Sequence, residues 1–174
     1  IDVLAEPLSK LVNMAFSEGC FPELFRAAVV TLLIKKSGLP CEEFSNYRPI
    51  SNLSFLSKLL ERIVNVRVTS HISSFSTFTP FQSAYRKFHS TETALLRIEN
   101  DLLLAIDKQQ VTALVLLDLS AAFDTVDHEV LLQRLQCWFG ISGNALKLLS
   151  SYLSCRSQSV LIDGVSSSSS LPLN

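Results

Sequence analysis

Apolar residues at Leu4, Leu8, Leu11, Val12, Ala15 and Phe16 recur at three- and four-residue steps, which predicts an amphipathic helix over residues 3–18. Pro7 fits only its first turn, and Gly19 ends it. Pro22 opens a short helical turn through Phe25. The run Ala27 to Ile34 (AAVVTLLI) then reads as a strand that delivers Lys35 and Lys36 into a loop, residues 37–46. Pro49 drives its neighbour Arg48 towards an extended backbone. Ser54 is placed to cap a second helix, running to about residue 74, with Leu56, Leu59, Leu60, Ile63 and Val66 on one face. Phe75 to His89 has no periodicity and reads as irregular. Ser90 caps a helix from Thr91 to about Lys108, whose Ala94, Ile98, Leu102 and Ile106 recur every four residues and predict a packed face.

The central stretch, Val111 to His128, reads VTALVLLDLSAAFDTVDH. Its run Ala113 to Leu117 is too short for a helix and is rich in Val and Leu, so it predicts a strand buried on both faces with Asp118 at its carboxyl end. After it, Val130, Leu131, Leu135, Trp138 and Phe139 predict a helix with those residues inward and Gly140 as its stop. A helix from Asn144 to Leu153 follows, then a strand from Gln158 to Ile162, a turn at Asp163-Gly164 and a serine-rich surface loop at Ser166 to Ser170.

Composition supports packed elements joined by short connections: 48% of the 174 residues are hydrophobic, and eleven Phe stand against five Gly and six Pro. No apolar stretch reaches the length of about 18 residues that spans a bilayer. Cys20, Cys41, Cys137 and Cys155 form no CxxC pair and no metal-ligand spacing, which reads as reduced, buried or idle thiols in an intracellular protein. The net charge of −1 excludes a uniformly basic nucleic-acid binder. Charge is nonetheless uneven: residues 26–90 hold nine Lys and Arg against three Glu, a local excess of six positive charges that suits a phosphate-facing surface. For Lys58, Arg62 and Arg67 a solvated helix face explains the charge equally well.

These patterns leave few residues placed for chemistry. Asp118 comes first, because a carboxylate at the end of a buried strand is expensive unless it is paired or bound to a metal, and ligand sites gather at strand carboxyl ends. Lys35 and Lys36 suit phosphate, or equally guard an edge strand against pairing. Aromatics beside cations in Phe75 to His89 suit bases and phosphates, although aromatics in loops more often cover a core. His128, close in sequence to Asp124 and Asp127, reads as a helix-start residue ahead of a metal ligand. Asn52-Leu53-Ser54 matches a glycosylation pattern by chance, with Ser54 better used as a cap.

An ordered series of blocks carries a family resemblance over nearly the whole chain: LLIKK at 32–36, NYRPIS at 46–51, QSAYRKFHSTETALL at 82–96, LLDLSAAFDTVDH at 116–128, and SYL at 151–153 followed by Arg156, Gln158 and Val160. Together they resemble the reverse transcriptases of LINE-type, non-long-terminal-repeat retrotransposons. The resemblance implies an α+β fold, helix-rich with a few mostly buried strands, that forms part of a right-hand polymerase: fingers at 1–110 with an N-terminal docking helix, and the first part of the palm at 111–174. It implies Asp118 as a catalytic, metal-holding aspartate for Mg2+, with the Leu119 carbonyl assisting and Phe123 under the sugar of the incoming nucleotide. Lys35 and Arg48 match residues that reach the triphosphate, and Gln82, Arg86 and Lys87 match a region near the template and nucleotide pocket. The implied partners are an RNA template, a DNA primer, a dNTP and the remainder of palm and thumb, with no membrane, in the cytoplasm and nucleus.

The chain departs from the family pattern at Ala84-Tyr85, where many relatives have Gly-Phe, and at Ala121, where many have Lys. It also lacks the two-aspartate hairpin that supplies the family's remaining metal-binding carboxylates, and Asp124 and Asp127 read more simply as capping or structural acids. The expectation is therefore a fragment of an RNA-directed DNA polymerase, inactive alone, with exposed apolar surface and a tendency to self-associate. A non-catalytic, transposon-derived module that binds RNA or protein is the alternative. An aspartyl-phosphate hydrolase is disfavoured, because Ser120 stands where that chemistry needs a second acid.

Overall fold

The computed structural model describes residues 2–74, 79–119, 122–162, 164–167 and 171–173, with the backbone alone for Asp2 and 171–173. Among them lie five α-helices and five strands, an α+β arrangement: α1 (Asp2–Glu18), β1 (Ala27–Ile34), β2 (Tyr47–Asn52), α2 (Phe55–Ser74), α3 (Thr91–Asp107), α4 (His128–Cys137), α5 (Gly143–Leu153), β3 (Arg156–Ile162), β4 (Val165–Ser166) and β5 (Leu171–Leu173). Short 3-10 turns at Glu23–Phe25 and Phe44–Asn46 precede β1 and β2. The chain forms two compact units, one from residues 1–71 with 127–174 and the other from residues 72–126.

In the first unit the core gathers Val12 and Ala15 of α1, Phe21, Leu60 of α2 and Leu148 of α5, with Phe25 and Tyr152 set edge-on to Phe21. The α1 stripe reads as the sequence predicts, except that Leu4 is exposed and the helix starts at Asp2. Pro7 is thus its sixth residue, beyond the first turn. Gly19 ends α1 at φ +65, and a Cβ there would lie 2.9 Å from both Asn144 O and Lys147 Cβ of α5, so the glycine allows the turn and the close helix approach together. Two hydroxyls complete this core: Ser57 Oγ, fully buried, donates to Phe25 O, and Ser151 Oγ accepts the Phe21 N–H at 2.8 Å. On α2, Val66 is exposed, contrary to its expected place on the packed face, while Ser57 and Val64 turn inward.

The sheet runs in the order β2-β1-β3-β4, and β5 also pairs with β3. β1 and β3 are parallel neighbours although some 130 residues apart in sequence; the other pairings are antiparallel. β1 has the predicted bounds and buries Ala28 and Val30. β2 lies at the sheet edge, where Pro49 can lack a ladder N–H, and it is mainly exposed, against the expectation of buried strands. The β3–β4 register pairs Ile162 with Val165, and Gly164 just before Val165 has φ +80, while Asp163 of the predicted turn lies outside the described residues. Part of the expected serine loop is strand: Ser166 belongs to β4, while 168–170 lie outside the described residues.

Sequence punctuation is borne out at several helix ends. Ser54 Oγ accepts from Ser57 N, and Ser90 and Thr93 form a reciprocal capping box at α3. Asp127 Oδ1 accepts from Val130 N, so this acid caps α4 and His128 is its first residue. Gly140 closes α4 in the left-handed region at φ +65, with Ile141 N donating to Leu135 O and Gly140 N to Gln136 O. Along α4 and the two residues after it, Leu131, Leu135 and Phe139 are half-buried, but Val130 and Trp138 are exposed, and the Arg134 guanidinium lies 5.0 Å from the Trp138 ring.

Candidate functional site

The central stretch departs most from its expectation. Residues 110–119 form no strand, and Val111, Leu114, Val115, Leu116, Leu117 and Leu119 are all exposed, Leu117 at 92%. A strand buried on both faces requires neighbours on both edges and a layer on each side, and no described strand pairs with this segment. The exposed apolar surface expected of an isolated segment is what results. Asp118 is accordingly exposed, and its Oδ1 accepts the N–H of Leu119 at 2.9 Å. Phe123, beyond Ser120 and Ala121 outside the described residues, is 78% exposed. The same unit holds α3, whose Ala94 and Leu102 are half-buried; Ile98 and Ile106 are exposed, so the predicted four-residue stripe is only partly covered.

Ahead of α3, residues 79–89 close on themselves through arginine. Arg86 Nη1 donates to Thr79 O and Gln82 O, both at 3.1 Å, and Gln82 Nε2 donates to Ala84 O. Arg97 of α3 donates to Pro80 O and lies 4.6 Å from the Phe81 ring, while Lys87 Nζ lies 4.8 Å from the Phe88 ring. Tyr85 and Phe88 adopt positive φ, 59° and 64°, which turns both rings outward, 87% and 88% exposed. Of the three residues expected here, Gln82 and Arg86 shape the loop, and Lys87 pairs with an aromatic face. Arg97 escapes the sequence reading. Its signal is a basic residue on a helix face directly after an aromatic loop.

Lys35 and Arg48 come together in the first unit. Leu33 pairs with Arg48 across β1 and β2, and the ladder continues through Lys35 N to Asn46 O at 2.8 Å. Because side chains alternate along strands, Leu33, Lys35 and Arg48 share one face, and Lys35 is the diagonal neighbour of Arg48, roughly 7–8 Å away. Both are exposed; the Lys35 ammonium donates to Ser45 O at 2.7 Å. Two cations on a stiff ribbon, one of them a guanidinium, form an arrangement suited to phosphate oxygens.

Residues 34–171 match the family described as reverse transcriptase (RNA-dependent DNA polymerase). The chain belongs to the reverse transcriptase family. It is related to the RNA-directed DNA polymerases of non-LTR retrotransposons. It is 33% identical over 132 residues, 76% of the chain, to a probable RNA-directed DNA polymerase from transposon BS of Drosophila melanogaster. It is also 30% identical over 158 residues, 91% of the chain, to the RNA-directed DNA polymerase from mobile element jockey of Drosophila funebris. The chain spans 14% and 17% of the length of these two relatives.

Reverse transcriptases are nucleotidyltransferases that generally use a divalent metal and bind a template and primer. Among the described residues the donor set does not complete such a metal site. Two-metal phosphoryl transfer requires several carboxylates converging on ions about 3.5–4 Å apart. Among the described residues no three His, Cys, Asp or Glu side chains converge to hold an ion, and Asp127 is engaged as a helix cap. The four cysteines are free and exposed, not buried. Among the described residues no helix is long and apolar enough to cross a membrane.

Proposed function

We propose that this chain is the fingers (1–110) and first part of the palm (111–174) of a right-hand RNA-directed DNA polymerase, which adds deoxynucleotides to a primer 3′-hydroxyl on an RNA template. The observation that carries the reading is the diagonal placement of Lys35 and Arg48 on one exposed face of the β1–β2 ribbon, within the span that matches the family. These two residues bind the triphosphate of the incoming dNTP. Asp118 contributes one carboxylate to a Mg2+ site whose other ligands lie in further sequence, the Leu119 carbonyl assists, and Phe123 lies under the nucleotide sugar. Gln82, Arg86 and Lys87 belong to the template and nucleotide-pocket region. The chain alone does not polymerise, because one carboxylate cannot position two ions.

The test separates binding from synthesis. In a primer-extension assay with Mg2+, the 174-residue chain yields no extended product, and a longer polypeptide carrying the remaining carboxylates extends the primer and loses that activity on Asp118→Ala. Labelled dATP binds the 174-residue chain, and Lys35→Ala or Arg48→Ala weakens that binding several-fold. Robust synthesis by the short chain, or dATP binding indifferent to both substitutions, overturns the reading. A second reading, a non-catalytic module that binds RNA, is favoured by the exposed Phe81, Tyr85 and Phe88 beside Lys87 and Arg97. Single-stranded RNA binding that survives Asp118→Ala, without synthesis by the longer polypeptide, supports it.

A further inference from the structure

A groove runs between α2 and α5 in the first unit. Two hollows of about 300 and 330 Å3 share Val64, Val68, Leu148 and Leu149 as a common apolar floor. The first opens towards Glu61, Asn65 and Tyr152, and the second towards Arg67, His71 and Ile141. Along α2 the lining positions step by three or four residues, so the hollows are displaced from each other by roughly one helical turn, about 5 Å. Side chains at i and i+4 of an α-helix stand about the same distance apart. The two long walls are helices whose backbone groups are already bonded within themselves, and at the end closed by Gly140, Ile141 and Ser142 the Gly140 and Ile141 N–H groups are bonded back to α4. An extended peptide in the groove would leave its own N–H and C=O groups unpaired against apolar walls, whereas a helix pairs them internally.

Charge gives the occupant a direction. Glu61 Oε1 accepts from the Tyr152 hydroxyl at 2.7 Å, and its Oε2 has no partner among the described residues. Towards the other end, the Arg67 guanidinium lies 4.2 Å from the Phe16 ring and makes no ion pair among the described residues. Helices favour acidic residues at their N-terminus and basic ones at their C-terminus. From this spacing and polarity we propose that the groove docks an amphipathic α-helix of a protein partner, antiparallel to α2. Two large apolar side chains at i and i+4 fill the hollows, an Asp or Glu near its N-terminus meets Arg67, and a Lys or Arg near its C-terminus meets Glu61.

The probe is a fluorescein-labelled 16-residue helical peptide with two Leu four positions apart, Glu one turn before them and Lys one turn after. Titrated with the 174-residue chain, its anisotropy saturates. Replacing both Leu by Ser weakens binding at least tenfold, and exchanging the Glu and Lys weakens it at least fivefold, neither change touching the protein. The double variant Glu61→Lys with Arg67→Glu, checked for folding by circular dichroism, reverses the preference between the two charged peptides. Equal affinity for the peptide and its charge-exchanged form overturns the proposal, as does the absence of saturable binding by folded chain. Loss of peptide binding as the chain's own concentration rises overturns it too, since a second copy then fills the groove.

Discussion

Two glycines at the same backbone angle separate conformational from steric demands. Gly19 and Gly140 both have φ +65, but a Cβ at Gly19 meets α5 at 2.9 Å, whereas one at Gly140 meets nothing within 4 Å. Gly140→Ala therefore costs about 1–2 kcal/mol, the strain of a left-handed residue. Gly19→Ala adds overpacking against α5 and costs about 2–4 kcal/mol. Urea unfolding of the two variants shows the larger loss at Gly19; equal losses would mean that the helix approach is softer than its geometry. Tyr152 supplies a second residue-scale expectation. Burial first, then the hydrogen bond to Glu61 and its charge, push its hydroxyl up to about 12, with Arg156 opposing. The native state thus holds this proton more tightly than the unfolded chain, so its contribution is complete below about pH 10 and is lost as pH rises towards 12. Tyr152 is only half-buried, and solvent screening reduces the effect to about 1 kcal/mol. Denaturant midpoints measured at pH 9 and 11 fall for the wild type, and Tyr152→Phe flattens that fall.

At the level of elements, what could be read from sequence was what is decided locally. The bounds of β1 follow from one apolar run, and the starts and stops at Ser54, Ser90, Gly19 and Gly140 follow from hydroxyls and glycines whose bonding is complete within a few residues. The stripes on α2, α3 and α4 predict which face is apolar, but whether Val66, Ile98 or Trp138 is covered depends on neighbours that periodicity does not name. Residues 113–117 are the extreme case: a strand exists only when another edge accepts its hydrogen bonds, and sequence pattern carries no record of that edge. The candidate site divides the same way. Lys35 and Arg48 are diagonal neighbours because local strand signals set the β1–β2 ladder that holds Arg48 opposite Leu33, whereas no local signal near Asp118 names what would surround it. An exposed run of Val and Leu with no pairing is an association hazard. Leu116→Glu with Leu117→Lys should shift the 174-residue chain from aggregate towards monomer by light scattering while leaving its melting temperature within about 2 °C, because neither side chain is buried. A large drop in melting temperature would mean that these leucines support the fold.

On the scale of the whole molecule, chain order and structural cohesion part company. The first unit is assembled from two distant stretches, 1–71 and 127–174, held by the parallel β1–β3 pairing, by α1 and α5 in one core, and by Ser151 binding the Phe21 N–H. Each link joins the two stretches directly and none needs the intervening peptide. Residues 110–119 lie exposed and outside regular structure, the condition under which proteases cut. Limited digestion with elastase, which prefers small aliphatic residues, should therefore cut first in this segment, at Val111, Ala113 or Val115. The fragments on either side should then elute together under native conditions and separate only in denaturant. Continuity through residues 72–126 sets the rate at which the two stretches find each other, because it fixes their effective concentration, but not whether they stay joined. Fragments that part under native conditions would show that the β1–β3 ladder and the Phe21 core are too weak to hold without the tether. Co-elution would show that the first unit tolerates a cut in the segment that leads into Asp118.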